Sequence, residues 1–254
     1  MELLPEFDVE DYKEIIDNSP LLYIIIFSII FAVTGILLNL SMMNTFEVIT
    51  IILFLFMIFG SITIFTLSGV VTDWKERKDV ITYILMTMVG LTLILVSAVV
   101  VGLIRFQTFT FVLWKPYVTE FPIEPQLYTP LAPVYINFMS LSQALRIDPN
   151  VLYDVGKYFL LVAPGEELVF RGIMPFLLAK LVKTPWVGGM ISNAFWASLH
   201  TIMTYAGPEL LTWTLIAYVG GFWLLYIMVQ SMDITTPILV HAVYNTIVRL
   251  MGAR

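Results

Sequence analysis

Residues 80–104 read VITYILMTMVGLTLILVSAVVVGLI, a stretch without a single acidic or basic side chain. A segment of this length covers the roughly 20 residues that an α-helix needs to cross the hydrocarbon core of a bilayer. Because that core offers no water to backbone amides and carbonyls, the segment can satisfy them only as a helix. The stretch therefore predicts a transmembrane helix in a chain that is 59% hydrophobic.

Six further apolar runs have lengths suited to membrane crossing, which requires roughly 17–25 residues. They cover residues 21–40, 46–71, 158–181, 185–205, 210–229 and 234–250. The predicted fold is all-α: a polytopic transmembrane helical bundle of seven spans around a buried site. A tilted helix over residues 131–145 would supply an eighth span.

The chain is interpreted as one membrane domain, residues 1–254. An acidic segment, 1–19, precedes the N-terminal spans within 20–104, and later core spans fill 155–250. Between these groups of spans, residues 105–154 contain six prolines. Because prolines at this density break helices, the segment is predicted to be a loop or a re-entrant or interfacial piece.

Charge is distributed very unevenly along the chain. The formal net charge is −6, and residues 1–19 carry seven acidic side chains against one lysine. We expect this segment to be solvated or interfacial. The rest of the chain is neutral and has no basic patch, which argues against a nucleic-acid partner. The absence of cysteine excludes disulfides, thiolate zinc sites and a cysteine nucleophile.

Basic residues suggest an orientation in the membrane. Lys75, Arg77 and Lys78 follow the second apolar run, and Lys180 and Lys183 follow the fourth. Loops rich in lysine and arginine stay on the cytoplasmic side. The pattern predicts a multi-pass membrane protein with a cytoplasmic N-terminus.

Three charged residues interrupt the fourth apolar run, which reads PGEELVFR from residue 164 to residue 171. An ionisable group at the centre of a transmembrane helix costs several kcal/mol and marks a functional site. Glu167 and Arg171 are four residues apart and can pair on one helix face. Glu166 points about 100° away and is left without that partner, so it is a candidate general base or acid. We expect Pro164 and Gly165 to break or start a helix just before it.

The chain has only two histidines, and both lie in later apolar runs. Asn193, Trp196 and His200 follow one another at i, i+3 and i+7, which is one stripe of a helix. His241 and Asn245 are four apart and share a face. If these three helices face inward together, they form a buried site of Glu, His, His and Asn. A lone transmembrane histidine or asparagine is otherwise often an interhelical hydrogen bonder, and Trp196 is interpreted as packing.

Several other catalytic patterns are missing from the sequence. There is no His-Glu-x-x-His helix of the zinc metalloprotease type, and no pair of aspartates suited to an aspartyl protease. Ser68 has no histidine in its own segment, which gives a serine–histidine dyad little support.

The three motifs, Glu-Glu-x-x-x-Arg, aromatic-x-x-x-His and His-x-x-x-Asn, occur here in order on successive apolar runs. In this order the pattern resembles the CAAX protease and bacteriocin-processing family, in particular the type II CAAX prenyl endopeptidases. The resemblance covers residues 155–250. Trp196 is a departure, since the family usually has phenylalanine at that position.

The resemblance implies an intramembrane glutamate-type endopeptidase without a cofactor, acting on prenylated or other C-terminal peptides in the bilayer. It implies that Glu166 activates a water that His200 helps to bind and orient. It also implies that His241 and Asn245 donate hydrogen bonds to the oxyanion. Glu167 and Arg171 would hold the site together, supported by Trp196 and Asn193.

Three alternatives remain open from the sequence. Glu166, His200 and His241 are also a recognised zinc ligand set, which would make the protein a zinc-dependent protease. A non-enzymatic scaffold or regulator of the same family is a second alternative, although the four candidate residues are intact. A proton-coupled transporter is a third, but the inverted repeats typical of transporters are absent.

Overall fold

The computed structural model describes residues 7–19, 45–69, 80–106, 149–204 and 210–250. These residues form seven helices and no strand. Their bounds are Val9–Asp17 (α1), Thr45–Leu67 (α2), Val80–Phe106 (α3), 149–182 (α4), Pro185–Thr204 (α5), Leu210–Ser231 (α6) and Thr235–Leu250 (α7). The all-α prediction is confirmed for this part of the chain, and six of the seven predicted spans coincide with α2 to α7.

Some predictions fall outside the described residues. These are the apolar run 21–40, most of the proline-rich segment 105–154, and the eighth span over 131–145. Two of the described helical segments, Val48–Leu67 and Thr214–Ser231, are long and apolar enough to cross a membrane, and Ile81–Ser97 is a shorter apolar segment.

Helix α4 contains two π-helical turns, Tyr158–Val162 and Leu168–Ile173. Each turn ends two residues before a proline, Pro164 or Pro175. A proline inside a helix lacks the N–H donor, and its ring clashes with the carbonyl four residues earlier. A wider π turn just before the proline accommodates both effects without a break in the helix.

The expected helix start at Pro164 and Gly165 is therefore wrong. The backbone stays helical through both residues, and a short α-helical turn, Ala163–Glu167, separates the two π turns. Glu166 and Glu167 sit in this turn, at the middle of α4. Gly165 lies against α2, where a Cβ atom would meet the ring of Phe54 at 2.8 Å.

Helix α4 packs against α2, α5 and α7, while α3 packs against α6 and α7. One ion pair joins the start of α4 to the end of α7, since Arg249 Nε lies 2.6 Å from Asp154 Oδ2. At the other end of α7, Asp233 Oδ1 accepts a hydrogen bond from the backbone N–H of Thr236. This carboxylate caps the helix, as aspartate commonly does. The helices that carry Glu166, His200 and His241 are therefore packed within one bundle.

Helix α1 differs from the solvated or interfacial segment expected for residues 1–19. Its Tyr12, Ile15 and Ile16 are fully buried against the rest of the bundle. The Tyr12 hydroxyl donates a hydrogen bond to the backbone carbonyl of Arg171. The spacing of these residues at i, i+3 and i+4 is that of an amphipathic helix with one face in the core. The expectation is wrong for this face, although Glu10 on the opposite side is exposed.

Candidate active site

Glu167 and Arg171 form the buried ion pair that their spacing predicted. Their side chains are 0% and 1% exposed, and Arg171 Nη1 lies 3.2 Å from Glu167 Oε1. Arg171 Nη2 donates to Asn193 Oδ1 at 3.1 Å, and the Asn193 amide donates to the carbonyl of Tyr218 at 2.7 Å. Buried charges are tolerated when they are paired and hydrogen-bonded in this way. The pair thereby connects α4 to α5 and, through Asn193, to α6.

Close helix packing at this pair requires glycine at position 221. A Cβ atom on Gly221 would overlap Asn193 Oδ1 and Arg171 Nη2. The neighbouring Gly220 has no such constraint, because a Cβ atom there would only reach Ile94 at 4.0 Å. No motif in the sequence indicated that the backbone of α6 approaches the buried polar groups so closely at this glycine.

Glu166 lies beside the pair but has its own partner. The indole Nε1–H of Trp196 donates to Glu166 Oε2 at 2.7 Å. The interpretation of Trp196 as a packing residue missed this contact. The sequence did carry a signal, since tryptophan has an N–H donor and this one lies on the same stripe as His200.

His200 is oriented by its own helix. Its Nδ1 lies 3.0 Å from the carbonyl oxygen of Trp196, which can only accept, so Nδ1 carries the proton. Its Nε2 then lies 3.7 Å from Glu166 Oε2. The rings of Trp196 and His200 also lie in contact, tilted by 58° with centroids 4.3 Å apart.

His241 is oriented by Glu167 of α4, and its Nε2 also faces Glu166. Its Nδ1 lies 2.8 Å from Glu167 Oε1, and because a carboxylate accepts, Nδ1 again carries the proton. Its Nε2 lies 4.0 Å from Glu166 Oε2. Side chains from α5 and α7 therefore converge on one carboxylate oxygen, Oε2 of Glu166 on α4.

Asn245 lies one helical turn after His241 on α7 and is half-buried. Among the described residues, no hydrogen bond joins it to the glutamates or histidines. The structure thus brings together Glu166, Glu167, Arg171, Asn193, Trp196, His200 and His241, with Asn245 adjacent along the helix.

The arrangement can support acid–base chemistry at Glu166. A carboxylate near two imidazole nitrogens, 13% exposed and lined by apolar helices, can exchange protons with a small molecule held between them. Within the described part of the chain, no group of three or more histidine, aspartate or glutamate side chains is arranged to hold a metal ion.

The helical bundle and its buried carboxylate–imidazole cluster define a helical membrane protein with a candidate hydrolytic centre. Residues 148–247 match the family model described as type II CAAX prenyl endopeptidase Rce1-like. This match covers the part of the chain that carries the three motifs and confirms the resemblance found in them. The matched segment contains all of the candidate site residues. Neither the curated proteins nor the solved structures contain a match to the chain.

The family consists of polytopic membrane proteins with endopeptidase, and therefore hydrolase, activity. Residues 148–247 therefore resemble an integral membrane protease family, and the described residues contain two helical segments long and apolar enough to cross a membrane.

Proposed function

We propose that this protein is an intramembrane endopeptidase in which Glu166 activates a water molecule. The observation that carries the proposal is the convergence of both histidine Nε2 atoms on Glu166 Oε2, at 3.7 and 4.0 Å. Two nitrogens and one carboxylate oxygen at these separations leave room for a small bridging molecule, since a typical hydrogen bond spans about 2.8 Å. The family of residues 148–247 supports the same activity.

The proposed reaction needs no covalent enzyme intermediate. Glu166 takes a proton from water while the water oxygen forms a bond to the scissile carbonyl carbon, whose π electrons move to the carbonyl oxygen. The tetrahedral intermediate then breaks its C–N bond, and Glu166 returns the proton to the leaving amine nitrogen. His200, fixed through Nδ1, binds and orients the water through Nε2. A positioned general base of this kind contributes about 10²–10⁴ in rate.

His241 and Asn245 are proposed to stabilise the oxyanion. The Nδ1–H of His241 is engaged by Glu167, so a second proton on this ring would reside on Nε2 and point toward the reaction. The Glu167 carboxylate also fixes the orientation of the His241 ring, as the aspartate of a serine-protease triad does. The Asn245 amide, one turn further along α7, would supply the second donor. Preorganised donors in a water-poor site give large transition-state stabilisation.

The proposed substrate is a membrane-anchored peptide, with a prenylated Cys-a-a-X tail that loses its last three residues. The description of the family supports this specificity. Helices α2 and α3 carry large exposed apolar side chains, such as Phe56 and Ile81, which form an apolar surface for an isoprenoid. A single domain of seven or eight spans, with the N-terminus in the cytoplasm, completes the proposal.

One observation favours a zinc enzyme as a second candidate. Both Nδ1 atoms donate, one to a carbonyl and one to a carboxylate, which leaves both Nε2 lone pairs directed at Glu166. Zinc-binding histidines are commonly oriented by such partners. To hold the ion, Glu166, His200 and His241 would have to shift from their present positions, which are not those of a metal site. The ion would then supply a Lewis acid for the bound water.

A single assay separates these candidates. Purified protein in detergent is given a fluorescence-quenched, farnesylated Cys-a-a-X peptide, with and without a strong zinc chelator, beside Glu166→Ala. Cleavage that requires Glu166 and ignores the chelator supports the glutamate-base endopeptidase, whereas cleavage lost with the chelator supports zinc. A folded wild-type protein that cleaves neither this peptide nor its unprenylated form would favour a scaffold or regulator.

A further inference from the structure

The two adjacent glutamates are held to very different degrees. Glu167 Oε1 accepts hydrogen bonds from both Arg171 Nη1 and His241 Nδ1. Glu166 accepts one, from the indole of Trp196, and within the described residues no other hydrogen bond reaches its carboxylate. Within the described residues, a single hydrogen bond therefore fixes the orientation of the proposed base.

The hydrogen bond from Trp196 restricts the orientation of the Glu166 carboxylate. The terminal torsion of a glutamate is broad, so an unbonded carboxylate samples many orientations. A general base works only with its oxygen in hydrogen-bond reach of the proton it abstracts, and small misplacements cost large factors in rate. The indole N–H can only donate a hydrogen bond, so Oε2 is the acceptor at every pH.

The indole is itself held firmly. Trp196 is 6% exposed and packs with Phe170. The Arg171 guanidinium carbon lies 4.1 Å from the centroid of its ring, which is close enough for a cation–π contact. The His200 ring lies against the same indole at 4.3 Å, and the His241 ring meets it edge-on at 5.9 Å. A rigid donor of this kind can fix the carboxylate relative to both imidazoles.

We propose that Trp196 is a positioning residue, whose indole N–H anchors the Glu166 carboxylate in the orientation needed for proton transfer. The inference rests on the function proposed above for Glu166 and assigns to Trp196 a role beyond aromatic packing. Phenylalanine at this position keeps an aromatic ring beside His200 and Arg171 but removes the donor. Trp196→Phe therefore isolates the hydrogen bond.

Trp223 provides a matched control. Its Nε1–H also donates at 2.7 Å, to Ser97 Oγ on α3, and the residue is half-buried. Trp223→Phe removes an indole hydrogen bond of the same length away from Glu166. We expect Trp196→Phe to lower kcat by about 10- to 100-fold with KM within about twofold, because orientation of the base is lost rather than binding. Trp223→Phe should retain the wild-type kcat.

An equal kcat for the two phenylalanine variants would overturn the positioning role, and so would a rise in KM at constant kcat. Thermal midpoints of both variants, measured in the same detergent, show whether a loss of kcat reflects unfolding of Trp196→Phe alone. If that variant unfolds, the hydrogen bond on which the positioning role depends is tested instead by a measurement on the wild-type chain and Glu166→Ala.

That measurement is the indole N–H resonance of Trp196 in protein labelled with ¹⁵N-tryptophan, where Trp223 again serves as the control. Removal of the acceptor in Glu166→Ala should shift the Trp196 resonance and leave the Trp223 resonance in place. An unmoved Trp196 resonance contradicts the anchoring contact alone. A wild-type protein that cleaves no peptide contradicts the proposed function, and with it the part of Trp196 in proton transfer.

Discussion

The Nδ1 atom of His241 lies 2.8 Å from Oε1 of Glu167, the same oxygen that accepts a hydrogen bond from Arg171. One buried carboxylate oxygen thus ties together α4 and α7 and sets the tautomer of an imidazole. The other oxygen, Oε2, is buried and has no hydrogen-bond partner in the described part of the chain. Glu167 therefore contributes to both the stability of the bundle and the chemistry of His241.

We predict that Glu167→Gln is strongly destabilising. The substitution keeps the shape of the side chain but removes the charge that faces Arg171, and Arg171 is 1% exposed. Breaking a buried ion pair on one side costs about 3–5 kcal/mol, because the remaining charge stays buried without its counterion. The free energy of unfolding in detergent should fall by this amount.

Glu10→Gln is the control for the loss of a carboxylate, since Glu10 is exposed on α1. Surface substitutions of this kind stay within about 0.5 kcal/mol. A loss below about 1 kcal/mol for Glu167→Gln would show that the pair contributes little to folding.

A second prediction concerns Gly221. Gly221→Ala places a methyl group where Asn193 Oδ1 and Arg171 Nη2 now lie, so the hydrogen bond between those two groups must shift or break. Overpacking of a buried site costs about 1–3 kcal/mol. We expect a lower thermal midpoint together with reduced cleavage.

Gly220→Ala tests the same chemical change one residue earlier, where the nearest atom is 4.0 Å away. This variant should match or exceed wild-type stability, because alanine is the better helix former by about 1 kcal/mol. Equal midpoints for the two alanine variants would contradict the close packing at Gly221.

A third prediction ranks the proposed catalytic residues. Glu166→Ala and His200→Ala should abolish cleavage, since water activation is lost, while both proteins remain folded. Asn245→Ala should leave residual cleavage, because removal of one oxyanion donor costs about 10²–10³ in rate. The assay is single-turnover cleavage of the farnesylated peptide.

Gln230→Ala, an exposed amide on α6, controls for loss of a carboxamide and should keep full activity. Residual cleavage by Glu166→Ala at the level of Asn245→Ala would remove Glu166 from the role of general base.

The sequence predicts the helices well because long apolar runs in a membrane protein have one way to satisfy their backbone groups. The run 185–205, for example, corresponds to helix Pro185–Thr204. The pairing of Glu167 with Arg171 was also predictable, since both lie on one helix at i and i+4. It forms even though a π turn intervenes.

Contacts between helices were harder to predict. The approach of Gly221 to Arg171 and the bond from Tyr12 to the Arg171 carbonyl depend on how distant segments pack, which periodicity does not encode. Acidic composition obscured the amphipathic face of α1, where Tyr12, Ile15 and Ile16 are buried. The bond from Trp196 to Glu166 was missed because an aromatic residue on a bundle helix is usually interpreted as packing.

The final prediction concerns Tyr12 and pH. Burial raises the pKa of Tyr12 well above its ordinary value of 10.0, and the nearby Arg171 charge only partly offsets this effect. The folded state therefore holds the hydroxyl proton more tightly than the unfolded state. The resulting stability is fully present below about pH 10 and is lost as the pH rises toward the folded pKa, by up to about 1.4 kcal/mol per pH unit.

The Tyr12→Phe variant has no hydroxyl to ionise at this position. Its free energy of unfolding should therefore fall less steeply above pH 10 than that of the wild type. At neutral pH the variant should be less stable by about 1 kcal/mol, because the Arg171 carbonyl loses its hydrogen bond. Tyr153→Phe is the control, since Tyr153 is 40% exposed, and it should keep the wild-type slope. Parallel slopes for wild type and Tyr12→Phe between pH 9 and pH 11, followed by circular dichroism in detergent, would show that α1 does not bury this hydroxyl against the helix that carries Glu166.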